Sequence, residues 1–261
     1  MSERSASTKL LLVGLVALVL TVPLFMVYAL VSDREGQSQT AQAAITAGWG
    51  RAQVISGPVL VVPFTQIGTE TTVVDGVERT RTVESRRELF LSPVVHRAKA
   101  RLIPERRGYS IYASVVYQAV LAGSARFELP ADLDRLGVEP GRLLFEQAEL
   151  RFGVSDPRGL QTDARVTAGG RALALHPGRG LASTSGSGFH AFHAWNGAPL
   201  SVQYAYGLRG SRSLALVPRG GKTEWTVTSP WPHPSFGGSF LPDSKTVSDK
   251  GFTASYGVPN L

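Results

Sequence analysis

The pattern of hydrophobic and polar positions divides the chain into one long apolar run and a larger remainder broken by polar residues, glycine and proline. The run covers residues 10–31 and contains no charged side chain. As an α-helix it would be about 33 Å long, and the hydrocarbon core of a bilayer is about 30 Å thick. Backbone groups in lipid must bond to each other, so a segment that crosses there is helical. The run therefore predicts a transmembrane helix.

Two other interpretations of this run remain open. A cleaved secretory signal has an apolar region of about 7–15 residues, and the small-x-small pattern Ala41-Gln42-Ala43 begins about ten residues after the run ends. A buried core helix of a soluble protein would also be apolar. The length of the run favours a membrane anchor over both.

The charges beside the run predict its orientation. Arg4, Lys9 and the terminal amine precede it, whereas residues 33–35 (Asp-Arg-Glu) follow it with no positive excess. Lys and Arg close to a span mark its cytoplasmic side. We therefore expect residues 1–9 in the cytoplasm and the bulk of the chain on the exported side.

After residue 50 the pattern becomes typical of β-structure. Residues 59–62 form an apolar β-branched run between Pro58 and Pro63, which predicts a short buried strand with a proline at each end. Thr- and Val-rich arms flank Asp75-Gly76 and predict an exposed hairpin with a two-residue type I′ turn. Further strands are predicted over residues 88–91, 109–121, 124–129, 147–154, 173–175, 189–194, 200–208, 213–217 and 222–228.

One short helix is predicted over residues 130–136, and Gly137 would end it. Helices and strands do not alternate as they do in parallel α/β folds. The many short strands separated by turn signals instead indicate a sandwich. The predicted fold class is therefore mostly β, with a single N-terminal transmembrane helix followed by an antiparallel β-sandwich-like domain.

Composition narrows the chemistry of this domain. The 261 residues include no cysteine, which excludes disulfides, thiolate metal sites and cysteine nucleophiles. The formal net charge is +7, but the basic residues are scattered. Such a surface is either simply solvated or attracts anionic lipid head groups and acidic envelope polymers. Nucleic acid is not an expected partner, because the domain is predicted on the exported side and has no nucleic-acid motif.

Motifs that could carry catalysis or metal binding are weak. His190 and His193 are three residues apart, and on a strand that spacing places them on opposite faces. Residues 221–223 (Gly-Lys-Thr) end like a phosphate-binding loop, but Leu216 replaces its first glycine. Asp156, Asp132 and Asp134 fit turn and helix-start positions. We predict no catalytic residue, no metal ligand and no cofactor, and keep an envelope hydrolase as a minor alternative.

The remaining candidate is Trp231-Pro232-His233-Pro234-Ser235-Phe236. Its prolines fix the backbone around one titratable ring and two aromatic side chains. Such a segment suits a structural clamp against the core, a partner-binding loop or, least of all, catalysis. Trp231, His233 and Phe236 are therefore the candidate partner contacts.

Several segments together resemble one known family. The most specific is Trp231-Pro232-His233-Pro234-Ser235-Phe236-Gly237-Gly238-Ser239-Phe240-Leu241-Pro242. The others cover residues 56–63 (SGPVLVVP), 107–112 (RGYSIY), 116–119 (VYQA), 154–159 (VSDPRG) and 251–254 (GFTA). On these segments the chain resembles the CreD family of bacterial inner-membrane proteins, which is linked by name to cell envelope integrity.

The resemblance implies an N-terminal transmembrane helix, a large periplasmic β domain and several further transmembrane helices. The chain ends at Leu261 before a second apolar span, so we expect a truncated version of the family pattern. The family is associated with envelope stress and the β-lactam-responsive Cre regulon, and it supplies no catalytic residues. The expected layout is a cytoplasmic N-terminus (1–9), a transmembrane helix (10–31), a connector or stalk (32–50) and a periplasmic β domain (51–261).

Two functional hypotheses follow. In the first, a non-enzymatic inner-membrane protein uses its periplasmic domain to bind or scaffold an envelope component. Besides the lipid bilayer, the expected partners are an envelope protein, glycan or lipid. In the second, the sandwich holds an apolar ligand or lipid between its sheets.

Overall fold

The computed structural model describes residues 6–74, 77–109 and 112–259. The chain separates into two compact units, of which the first comprises residues 1–48 with 107–114 and the second comprises residues 49–106 with 115–261. The first unit holds helix α1 (Ala6–Ala47). The second holds the strands, except for the strand residues 107–109 and 112–114.

Helix α1 carries the apolar run on a fully exposed surface. Leu10, Phe25 and Tyr28 are each about 70–80% exposed. The helix continues through the polar residues after 31, where the Gln37 amide donates to Asp33 at 2.9 Å, and it ends directly before Gly48. It is long and apolar enough to cross a membrane.

The strands in the described part of the chain are β1 (Gln53–Val74), β2 (Val77–Leu91), β3 (Val95–Tyr109), β4 (Tyr112–Phe127), β5 (Glu149–Val154), β6 (Arg165–Ala168), β7 (Arg171–Ala172), β8 (His176–Pro177), β9 (Gly188–Phe192), β10 (Leu200–Ser211), β11 (Leu214–Val217), β12 (Lys222–Ser229), β13 (Ser244–Ser248) and β14 (Gly251–Pro259). Short 3-10 helices cover Leu133–Leu136, Pro140–Arg142, Phe145–Gln147, Pro157–Gly159 and Ala182–Thr184.

The strands form two sheets. Sheet A has the order β11-β1-β5-β9-β8, with β2 also paired to β1, and sheet B has the order β13-β14-β12-β3-β4-β10-β6-β7. Two pairs, β1 with β11 and β3 with β12, are parallel, and the other described registers are antiparallel. The predicted class, mostly β with one N-terminal apolar helix and antiparallel-rich sheets, is confirmed.

One hydrophobic core joins side chains from both sheets. Alternate residues of β1, Leu60 and Val62, point into it, and Phe152 of β5 stacks on Phe189 of β9 at a centroid distance of 4.7 Å. The residues that alternate with these two, Val59 and Val61, pack on the opposite face with Leu181. β1 is therefore covered on both faces at the centre of sheet A.

The predicted strand over residues 59–62 is only a part of the 22-residue β1. The prediction that Pro58 and Pro63 mark the two ends of a strand was therefore wrong. Pro58 lies where the register with β5 shifts, between Ser56 and Val59, and such a bulge leaves an unpaired position. The Pro63 carbonyl accepts from the Leu144 N–H on the side away from β2. Both prolines are tolerated because neither nitrogen is needed in a ladder.

The predicted hairpin is confirmed in its arms, which pair as β1 and β2 from Leu60 with Leu91 to Val74 with Val77. Its distal part is exposed and carries the ion pair between Glu70 and Arg81. The type I′ turn predicted at Asp75-Gly76 lies outside the described residues, and so do Ser110 and Ile111 of the strand predicted over 109–121.

Other element boundaries differ from the prediction. The predicted helix over residues 130–136 is a 3-10 helix of four residues, and Gly137 ends it in the left-handed conformation with φ 68°. Residues 173–175 are not a strand. β3, β6, β7, β8, β13 and β14 were not predicted.

Asp156 in residues 154–159 (VSDPRG) has a structural role, as its turn assignment predicted. Its carboxylate accepts hydrogen bonds from the Arg158 side chain and from the Arg51 N–H, and the Arg158 guanidinium lowers its pKa. The buried Gln53 side chain bonds both to this turn and to the carbonyl of Arg209. The hydrogen bonds of this turn therefore fix the position of the first residues of β1.

His96 of β3 is a fully buried titratable side chain in sheet B. Its Nε2 lies 2.8 Å from the hydroxyl of Tyr204 on β10, while its Nδ1 has no hydrogen-bond partner. Burial lowers the pKa of His96 to about 4. The imidazole is therefore neutral in the folded protein at physiological pH.

Candidate functional site

The candidate segment Trp231–Phe236 follows β12 directly and is held by its own hydrogen bonds. The Trp231 indole donates to the carbonyl of His233 at 2.9 Å, and the Trp231 N–H donates to the hydroxyl of Ser229 at 3.2 Å. The Phe236 ring packs edge-to-face on Phe252, with centroids 5.5 Å apart. Trp231 and Phe236 are half-buried, whereas His233 is exposed.

This segment forms one wall of a cavity of about 830 Å³, which we call the site cavity. The volume falls within the range of about 300–1,000 Å³ found for small-molecule sites. A second wall is the face of sheet B, which contributes Leu102, Thr223, Trp225, Val227, Ser229, Phe252, Tyr256 and Val258. A third wall is the corner before β11 and β11 itself, residues 212–218. The structure thus brings Trp231, His233 and Phe236 together around one space.

The walls are mainly apolar, with few charges. The formally charged lining residue is Arg212, His233 is titratable, and the lining contains no carboxylate. Trp225 and Tyr256 lie with their rings 5.5 Å apart, and burial raises the pKa of the Tyr256 phenol. The site cavity therefore offers aromatic and aliphatic surface with a cation at its wall.

Two further cations sit on the aromatic side chains of the candidate segment. The Arg106 guanidinium lies 5.7 Å from the centre of the Trp231 ring, and the Lys245 ammonium lies 5.5 Å from that of Phe236. Such cation–π contacts hold the charges at the rim. Asp243, on the same stretch of chain as Lys245, accepts the Gly257 N–H at 2.6 Å.

The weaker candidates lie elsewhere in the sheet domain. His190 is buried on β9, its Nδ1 lies 3.2 Å from the Gly178 carbonyl, and its ring is 5.5 Å from that of His176. His193 lies just beyond β9, where burial first and Arg171 second lower its pKa. Within residues 6–74, 77–109 and 112–259, no three His, Cys, Asp or Glu side chains are grouped as metal ligands.

The sequence analysis identified one wall of the cavity and missed the other two. The β12 wall carries a usable signal, because its lining residues Thr223, Trp225, Val227 and Ser229 alternate along the strand. The β14 wall has a similar signal in Phe252, Tyr256 and Val258. The corner at residues 212–218 has none, since its place depends on β11 pairing with β1.

Together, the exposed apolar helix and the cysteine-free two-sheet domain with its cavity define a class: membrane proteins that combine a membrane-spanning helix with a β domain. Within this class, the chain belongs to the CreD family, whose model, described as inner membrane protein CreD, matches residues 5–261. The protein is accordingly an inner-membrane protein, and α1 is its transmembrane helix.

A curated relative is the inner membrane protein CreD of Escherichia coli (strain K12). The two are 30% identical over 243 residues, which cover 91% of this chain and 52% of the relative. The chain therefore spans about half the length of the curated relative that it matches. No solved structure matches the chain.

Proposed function

We propose that the chain is a non-enzymatic cell envelope integrity protein whose β domain binds or scaffolds an envelope component during envelope stress or the β-lactam response. The observation that carries this proposal is the site cavity, which the three candidate residues Trp231, His233 and Phe236 help to enclose. Pockets of this size, apolar with few polar groups, are typical binding sites.

The proposed arrangement places the N-terminus in the cytoplasm and the β domain in the periplasm. The orientation is supported by Arg4 and Lys9 before the apolar run at residues 10–31, against residues 33–35 (Asp-Arg-Glu) after it, because Lys and Arg are biased to the cytoplasmic side.

The sequence has no cysteine, so a single introduced cysteine can be labelled specifically. One labelling experiment can therefore test orientation and binding together. Phe240 lines the site cavity and is 49% exposed, whereas Phe192 on β9 is 54% exposed and lies outside the lining. Phe240→Cys and Phe192→Cys variants are treated in outer-membrane-permeabilised cells with a membrane-impermeant maleimide that carries a photocrosslinker. We expect both to be labelled, and only Phe240→Cys to capture a reproducible envelope component, identified by mass spectrometry.

A second substitution in the Phe240→Cys background connects capture to the candidate segment. We expect His233→Ala to lower capture about fivefold, the effect of losing a contact worth about 1 kcal/mol. Its exposed side chain makes no contact that holds the fold. Absence of labelling in permeabilised cells would refute the orientation. Equal capture from positions 240 and 192 would refute the binding proposal.

A second candidate function, storage of an apolar ligand or lipid, is favoured by the aromatic walls of the site cavity. It predicts that lipid co-purifies with the detergent-solubilised chain in a fixed ratio. Mass spectrometry of the chain and of a Val227→Trp variant, which fills part of the cavity, measures this. Equal lipid in both preparations would contradict a site in the cavity.

A further inference from the structure

The lining of the site cavity shows which part of each sheet faces it. β12 contributes alternate residues, the pattern of a strand that turns one face to the space. By contrast, every residue from 212 to 218 lines the cavity. A strand face cannot present consecutive side chains to one space, so it is the edge of β11 that borders the cavity.

That edge of β11 is open. β11 ends the order of sheet A and pairs only with β1 within the described chain. The Ser213 carbonyl accepts from the Gln53 N–H at 3.0 Å. Because successive residues of a strand direct their N–H and C=O groups to opposite edges, Leu214 and Leu216 direct theirs away from β1, towards the cavity.

Open backbone groups beside an apolar wall select one kind of occupant. An acyl chain could fill the space but cannot bond to the amides and carbonyls of Leu214 and Leu216, and unpaired backbone groups are costly once water is displaced. An extended peptide can pair with them as an added strand. Its alternate side chains would then lie against sheet B, where Trp225 and Tyr256 provide the surface.

The cationic side chains around the site cavity indicate which residue should flank the bound stretch of such a peptide. Arg212 in the lining, with Arg106 and Lys245 at the rim, forms a cationic border around the site cavity. Complementary charge steers association and fixes register. An acidic residue beside the apolar stretch of a peptide would meet this border.

Resting on the proposed function, we infer that the envelope component bound in the site cavity is a protein, which adds an extended segment of alternating apolar residues, flanked by an acidic residue, as a strand on the open edge of β11. The hydrogen bonds to Leu214 and Leu216 provide affinity that is independent of sequence, and the pockets along sheet B provide selectivity.

The binding test uses the full chain in phosphatidylcholine nanodiscs and two matched probes. The first is an acetylated heptapeptide of alternating valine and threonine that ends in aspartate. The second is the same peptide N-methylated at alternate residues, which removes the N–H groups of its pairing edge. We expect the first to bind and the second to bind at least about tenfold more weakly, since each lost hydrogen bond costs about 1 kcal/mol.

Amide hydrogen exchange locates the bound peptide. We expect exchange at Leu214 and Leu216 to slow on binding, while Ala215, whose amide already faces β1, serves as the internal control. A Leu216→Pro variant removes one open-edge N–H without removing a bond to β1. Leu216→Ala is its control, because it loses similar packing but keeps the N–H. We expect only the proline variant to lose affinity for the peptide, by about fivefold.

Lipid binding is tested with brominated stearate, whose bromine atoms quench the fluorescence of nearby tryptophan. Trp225 and Trp231 line the site cavity and report its binding there. Equal binding of both peptides, or unchanged exchange at Leu214 and Leu216, would overturn strand addition. Quenching by stearate without peptide binding would also overturn it, and would leave a binding role in place with a lipid as occupant. If neither probe binds and position 240 captures nothing, the proposed function fails as well.

Discussion

Gly188→Ala is expected to lower the free energy of unfolding of the β domain by more than about 3 kcal/mol. Gly188 begins β9 opposite Gly153 of β5, and its φ of 149° is a conformation that side chains disfavour. A Cβ atom at this position would also overlap the carbonyl of Phe152. β5 and β9, which are neighbours in sheet A, could accept a methyl group only by moving apart.

Urea titration of the detergent-solubilised chain, followed by tryptophan fluorescence, measures this loss. Gly141→Ala is the matched control, because a Cβ there meets no atom within 4 Å. Its effect should stay within about 0.5 kcal/mol, as at most surface positions. A Gly188→Ala protein as stable as the Gly141→Ala protein would show that β5 and β9 are not held at the described separation.

Acidification from pH 6.5 to pH 4 is expected to destabilise the β domain by about 3 kcal/mol through His96 alone. The pKa of His96 is 6.5 when exposed and about 4 in the fold, because burial opposes the charged imidazolium. Between these values the unfolded chain binds a proton that the native chain does not. The stabilisation is therefore complete above pH 6.5, is lost as the pH falls through this window, and changes no further below pH 4.

The control for this prediction is His96→Gln, which removes the titrating group. His193 also has a lowered pKa and contributes a loss of the same sign in both proteins, so the difference between the two pH profiles isolates His96. We expect the parent to lose stability more steeply across the window. Parallel profiles for the two proteins would contradict a neutral, buried His96.

The sequence alone was sufficient to predict those features whose signal lies within one short stretch of the chain. The transmembrane helix follows from the apolar run at residues 10–31, and the β1–β2 arms follow from Thr- and Val-rich stretches around a turn signal. The candidate segment was recognised because its prolines and aromatic residues stand close together in the chain. Each of these signals lies within a window of about twenty residues or fewer, the scale on which periodicity and turn residues are informative.

The remaining features depend on distant parts of the chain. β3 does alternate, with Arg97, Lys99 and Arg101 outward and Ala98 and Ala100 buried, but small apolar residues among charges give a weak strand signal. β13 is exposed throughout and has no burial pattern to detect. In the sequence alone, Pro58 and Pro63 indicate the ends of a strand. Only the pairing of β1 with its partner strands shows that both prolines fit inside it. The site cavity likewise depends on distant pairing, because the chain passes from β10 in sheet B to β11, which pairs with β1 in sheet A.

The position of β1 also has a consequence for the order of events during biosynthesis. It is the first strand to be synthesised, yet its partners include β5 and, through Ser56 and Val217, the much later β11. Pairings of such long sequence separation form slowly, because loop closure precedes any gain from contact. With no cysteine, no disulfide can hold early intermediates. β1 can pair with the neighbouring β2 early, but its first residues, 53–56, lack their β11 partner until residues 214–217 have emerged. Until then this end of β1 keeps an open edge, and this interval is its period of greatest exposure to aggregation and proteolysis.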